Sequence, residues 1–195
     1  MKALLGQLWR LVLITVLGFV GSLIAGLMVY GGSVFSPQSI GFAYVAYGLS
    51  GGFVFAFYHV RGLTSTIAAA VAVGAIQLAV SATWMPVINA AVWAFGVNLS
   101  VVILAFLFER KLAGFRQWKF TVVGVVCGGL FVLLTLIVAL MTEVQSMPPT
   151  LFQANFLDGL WMGLGLGLGV EVAESIIHSI EQHRAAKAEQ RRDNS

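Results

Sequence analysis

The chain has 195 residues, of which 59% are hydrophobic and only 10% charged. Its mean hydropathy is +0.93, whereas a soluble domain carries about 25% charged residues; a water-soluble fold is excluded, because the apolar excess has to face lipid. The formal net charge of +3 follows from where the basic residues fall along the chain and does not indicate nucleic acid.

Crossing the hydrocarbon core takes about 20 apolar residues, and six segments meet that length. The first runs roughly from Leu11 to Tyr30. Met1 to Val12 has the basic start of a signal peptide, but the apolar run after it is too long for a signal core and reads as a membrane helix. Gly18, Ser22 and Gly26 recur on it at four-residue spacing, which suits close helix packing in lipid. The second segment, Ile40–Tyr58, carries Tyr44, Tyr47, Gly51 and Tyr58. The third, Leu63–Ala82, has Thr66, Ala70, Gly74, Gln77 and Ser81 along one face. The fourth, Val87–Phe108, has Ala90, Ala94 and Asn98, with Trp93 nearby. The fifth, Phe120–Met141, contains Gly124, Gly128 and the lone cysteine, Cys127. One cysteine allows no disulfide within the chain and no cysteine-based metal site. The sixth, Leu157–Ile177, has Gly159, Gly163 and Gly167 on one stripe and Gly165 and Gly169 on the opposite one. It is expected to pack on two sides and to sit centrally, with a kink or hinge at the glycines.

All eleven Lys and Arg residues fall on one side of such a six-helix chain. Lys2 and Arg10 precede the first segment, and Arg61 separates the second from the third. Arg110, Lys111, Arg116 and Lys119 lie between the fourth and fifth, and Arg184, Lys187, Arg191 and Arg192 follow the sixth. Lys and Arg retained in the cytoplasm set orientation, so that side is the inside. The predicted fold is all-α: a polytopic membrane protein with six transmembrane helices and with both N-terminus and C-terminus cytoplasmic. Residues 1–178 form the membrane domain and 179–195 a short polar tail that extends the last helix and then frays.

Ionisable groups within a span are costly and count as functional candidates. Asp158 and Glu171 are separated by about 18 Å of helix, less than the hydrocarbon thickness of about 30 Å. At about 100° per residue, Glu171, Glu174 and His178 fall within about 40° of Gly167, so they share a face that should point into the bundle. Asp158 falls opposite and should reach outer water. Two readings of the shared face stand. Glu171, Glu174 and His178 form a proton or ion relay, or Glu171 and Glu174 pair with Arg61 or Arg10 at the inner boundary. Gln77 and Asn98, walled by Tyr47 and Trp93, either line a small solute pocket or hydrogen-bond between helices. The candidate ligand or ion site is therefore Glu171, Glu174, Asn98, Gln77, Tyr47 and Trp93.

No phosphate loop, dinucleotide fingerprint, zinc-protease helix or nucleophile elbow is present. No catalytic residues, metal or cofactor are predicted, and an enzyme is not expected. The expected partners are the lipid bilayer, a membrane-embedded or cytoplasmic protein, and a small-molecule solute, with no nucleic acid. The expected location is a plasma membrane of the bacterial inner-membrane type. The expected role is a small-solute or ion transport or solute-binding subunit; the alternative is a non-transporting assembly or scaffold protein. In size, helix number and cytoplasmic ends the chain is similar to the substrate-binding subunits of energy-coupling-factor transporters, a likeness of architecture alone. Its first segment lacks the Ala-x-x-x-Ala docking pattern often found in those subunits.

Overall fold

A computed structural model describes residues 2–36, 41–83, 91, 94, 95, 98, 102, 118–141 and 149–193. Among them every regular element is helical and no strand occurs. Helix α1 spans Lys2–Tyr30 and leads through a 3-10 turn, Gly31–Phe35, towards α2, Phe42–Arg61. Helix α3 spans Leu63–Ser81, α4 Lys119–Met141 and α5 Pro149–Asp193. Among the described residues, three stretches are long and apolar enough to cross a membrane: Gly6–Phe35, Leu63–Val80 and Phe156–Lys187. Lys119–Leu130 is a shorter apolar helix. The predicted fourth segment and the Glu109–Lys119 connector lie mostly outside the described residues.

Helix ends follow backbone chemistry and not hydropathy. Helix α1 begins at Lys2, before the expected Leu11, because nothing in Lys2–Arg10 breaks a helix once it emerges from the apolar run. Helix α5 begins at Pro149, before the expected Leu157; proline suits a first helical position, where its missing N–H is not needed. At 45 residues, α5 is about 68 Å long, more than twice the hydrocarbon thickness. It runs unbroken through the glycine-rich stretch and the polar tail as far as Asp193. The turn between α2 and α3 is made by Gly62 alone, at φ 78°, where any L side chain is strained. Its N–H donates to the Tyr58 carbonyl at 3.0 Å, ending α2, and its carbonyl accepts from the Thr66 N–H at 3.2 Å, starting α3.

Helix α5 is the axis of the fold, with α1 and α4 packed along it and α2 in contact as well. Glycine makes this approach close enough for backbone to meet backbone. A Cβ on Gly165 would lie 2.5 Å from the Gly21 carbonyl oxygen of α1. On the other stripe, a Cβ on Gly159 or Gly167 would lie 2.5 Å from the Gly128 or Phe120 carbonyl oxygen. Gly165 and Gly169 thus face α1, while Gly159, Gly163 and Gly167 face α4. Between the stripes, Met162, Leu166, Val170, Ala173 and Ile177 form the buried ridge of α5. Leu166 fills the hollow left by Gly18 and Gly51, so α1, α2 and α5 converge on one side chain.

Long-range side-chain bonds fix which helix ends lie together. Arg10 of α1 pairs with Glu181 of α5, and His59 of α2 with Glu174. The first turn of α4 meets Glu171. The N-terminal ends of α1 and α4, the C-terminal end of α2 and the C-terminal part of α5 therefore share one end of the bundle. Arg61 and Lys119 lie next to these contacts, which makes this the basic end. Asp158 bonds Tyr30 and Tyr44 at the opposite end.

Candidate functional site

The acidic residues of α5 reach three different helices. Trp118 occupies the N-cap position of α4, since its carbonyl accepts the Val122 N–H at 3.0 Å. An indole has no acceptor with which to satisfy the free N–H groups of the first turn. Glu171 supplies it from across the interface: the Phe120 N–H donates to Glu171 Oε2 at 3.0 Å. A carboxylate there also complements the positive end of the α4 dipole. One turn on, Glu174 Oε1 lies 2.9 Å from His59 Nε2. The neighbouring His59 ring sits edge-on to Phe120, with centroids 6.1 Å apart.

These contacts replace the partners expected from sequence. Glu171 and Glu174 engage Phe120 and His59, and neither pairs with Arg61 or Arg10. Arg10 instead meets Glu181, because α1 and α5 both continue past the apolar run and bring their charges together there. That pair is about 40% exposed on each side, so its removal is expected to cost under about 1 kcal/mol. Chemical unfolding of Arg10→Ala checks this. His178 faces outward and lies 2.9 Å from Gln182 Nε2 on its own helix. Glu171, Glu174 and His178 share a face in register, but each engages a different partner.

Gln77 and Asn98 do come together. The Asn98 Nδ2 donates to Gln77 Oε1 at 2.9 Å and to the Ala94 carbonyl at 2.5 Å, and Gln77 Nε2 donates to the Ala46 carbonyl of α2 at 3.5 Å. The approach is made at Gly74, where a Cβ would meet the Phe95 ring at 2.8 Å. Asn98 is 1% exposed, and its Oδ1 is buried without a partner. A double-mutant cycle of Gln77→Ala and Asn98→Ala, read by unfolding in detergent, is expected to give a coupling of about 0.6 kcal/mol, the average for such bonds in a membrane protein. Tyr47 is buried on α2. Trp93 lies outside the described residues.

Asp158 engages two other helices. Its carboxylate accepts the Tyr30 hydroxyl and, at 3.3 Å, the Tyr44 hydroxyl. Nearly one turn along, Trp161 Nε1 donates to the Ala25 carbonyl at 3.1 Å. The angular placement opposite Gly167 is sound, and at Asp158 that face of α5 meets Tyr30 of α1 and Tyr44 of α2. This cluster was not visible in the sequence, since its members are up to 128 residues apart. The nearest signal was the pair of tyrosines flanking the first connector.

Two grooves open beside α5. One, of about 700 Å³ at the basic end, is lined by Trp118, Glu171, Ser175 and the apolar flank of α5. The other, of about 390 Å³, lies by Asp158 and Trp161. Among the described residues, no three His, Cys, Asp or Glu side chains are grouped as metal ligands. Comparison with protein-family models, curated proteins and solved structures gives no match.

Proposed function

We propose that the chain is a non-transporting assembly protein of a bacterial-type plasma membrane, crossing it six times with both ends in the cytoplasm. Orientation follows from the basic end, since Lys and Arg are retained inside. What carries the functional reading is the use made of the polar side chains. Glu171 serves α4, Glu174 serves α2, and Gln77 serves Asn98. Each is taken up in its own interhelical contact, as is common for polar groups that stabilise membrane bundles. The glycine seams bring the backbone of α5 against α1 on one side and against α4 on the other, which is how a packed assembly core is built.

A second reading, a small-solute or ion transport or solute-binding subunit, is favoured by one observation: the buried Asn98 Oδ1, an acceptor without a donor. Thermal shift of the purified chain across a metabolite panel separates the two. The assembly reading predicts no solute-dependent shift, and a lower melting temperature for Glu174→Gln without any change in ligand response. A solute that stabilises the native chain but not Asn98→Ala would favour the second reading over the first.

A further inference from the structure

We propose that the groove at the basic end binds a phospholipid with a primary-amine headgroup, of the phosphatidylethanolamine type. The proposal rests on the membrane reading above, which sets lipid against this face of α5. The groove runs from Leu168 to Ile180, about 18 Å along α5. Its apolar part is Leu168, Val172 and Ile176, which are 37%, 51% and 39% exposed. Its polar part is Glu171, Ser175 and Ser179. The polar residues follow one edge of the groove and the apolar ones the other.

Charge selects the headgroup. The carboxylate of Glu171 spends Oε2 on the Phe120 N–H, and among the described residues no hydrogen bond or ion pair engages Oε1. A carboxylate oxygen at the mouth of a lipid-facing groove attracts an ammonium group and repels an anionic headgroup. A primary ammonium can also donate a charge-assisted hydrogen bond to it, which a quaternary one cannot. Trp118 forms the facing wall and is 59% exposed. It is held at φ 70°, a conformation rare for a bulky residue, and its ring can stack on the same cation. Lys119 follows directly, with Nζ 4.7 Å from the centre of the Phe120 ring.

Native mass spectrometry of the full chain in micelles tests this with phosphatidylethanolamine, phosphatidylcholine and phosphatidylglycerol at equal concentration. Phosphatidylethanolamine should be retained about fivefold over each of the other two. Glu171→Gln keeps an oxygen to accept the Phe120 N–H but loses the charge, and should abolish the preference while leaving the chain folded. Ser175→Trp fills the groove without touching the carboxylate and should abolish it as well, which keeps the test valid if Glu171→Gln folds poorly. Equal retention of the amine and choline lipids, stronger retention of phosphatidylglycerol, or an undiminished preference in Ser175→Trp would each overturn the proposal. Micelles have no sidedness, so this result is independent of the orientation of the chain, and failure of the orientation would leave it standing.

Discussion

Gly163→Ala is expected to cost about 1–3 kcal/mol of stability, the usual penalty for forcing a methyl group into a close-packed interface. The added Cβ would run into the Gly124 carbonyl of α4, with the Gly128 nitrogen 3.1 Å away. Both obstacles are backbone in the middle of a helix, so neither can swing aside, and α4 and α5 must separate. Separation lengthens every contact along the seam, because Gly159 and Gly167 rely on the same spacing. The greater helix propensity of alanine returns up to about 1 kcal/mol, which does not offset the loss. Gly6 provides the control: a Cβ there meets nothing within 4 Å, so Gly6→Ala should be neutral or stabilising. Reversible unfolding of both variants in detergent checks the pair. Equal stabilities for the two would mean that the seam is not close-packed.

Asp158→Ala is the second large effect, expected at about 1–3 kcal/mol through loss of a shared acceptor. The carboxylate joins α5 to Tyr30 at the end of α1 and to Tyr44 in the first turn of α2. Tyr44 is buried and Tyr30 half-buried, and the two rings lie 5.8 Å apart, so without Asp158 they have to find new partners in a confined place. Tyr44 keeps one alternative, the Asp158 main-chain carbonyl at 3.3 Å, which limits the cost. Asp158→Asn retains an acceptor and should lose less than Asp158→Ala. A thermal-melting series of Asp158→Asn, Asp158→Ala and Tyr30→Phe with Asp158→Ala orders these. The double variant should be close to Asp158→Ala alone, since both changes remove one bond.

Some of this was legible in the sequence, and the reason differs from residue to residue. The glycine stripes of α5 marked its two packing sides, because a small residue at four-residue spacing has one main use in lipid, close approach. The shared face of Gly167 and Glu171 also held, since helical geometry fixes it. What angular geometry leaves open is the partner. Glu171 and Glu174 are 60° apart by rotation, enough to send one to α4 and the other to α2. The demand that Glu171 meets, an uncapped first turn headed by Trp118, belongs to another helix and lies 51 residues away. Asp158 shows the same limit: rotation places it opposite Gly167, but does not name the tyrosines of α1 and α2 that its carboxylate meets. Helix ends were missed because hydropathy reads the width of the bilayer, and α1 and α5 continue beyond it into the polar phase.

The central claim is that the basic end is the cytoplasmic end and that the chain crosses the membrane between it and the Asp158 end. Single cysteines in a Cys127→Ser background, labelled in intact cells with a membrane-impermeant thiol reagent, test it most directly. Thr64 and Ser179 are exposed near the basic end, and Ser33 and Thr83 are exposed beyond the far ends of α1 and α3. The account predicts that cysteines at Ser33 and Thr83 react in intact cells, while those at Thr64 and Ser179 react only after lysis. Labelling of Ser179 together with Ser33 in intact cells would contradict it.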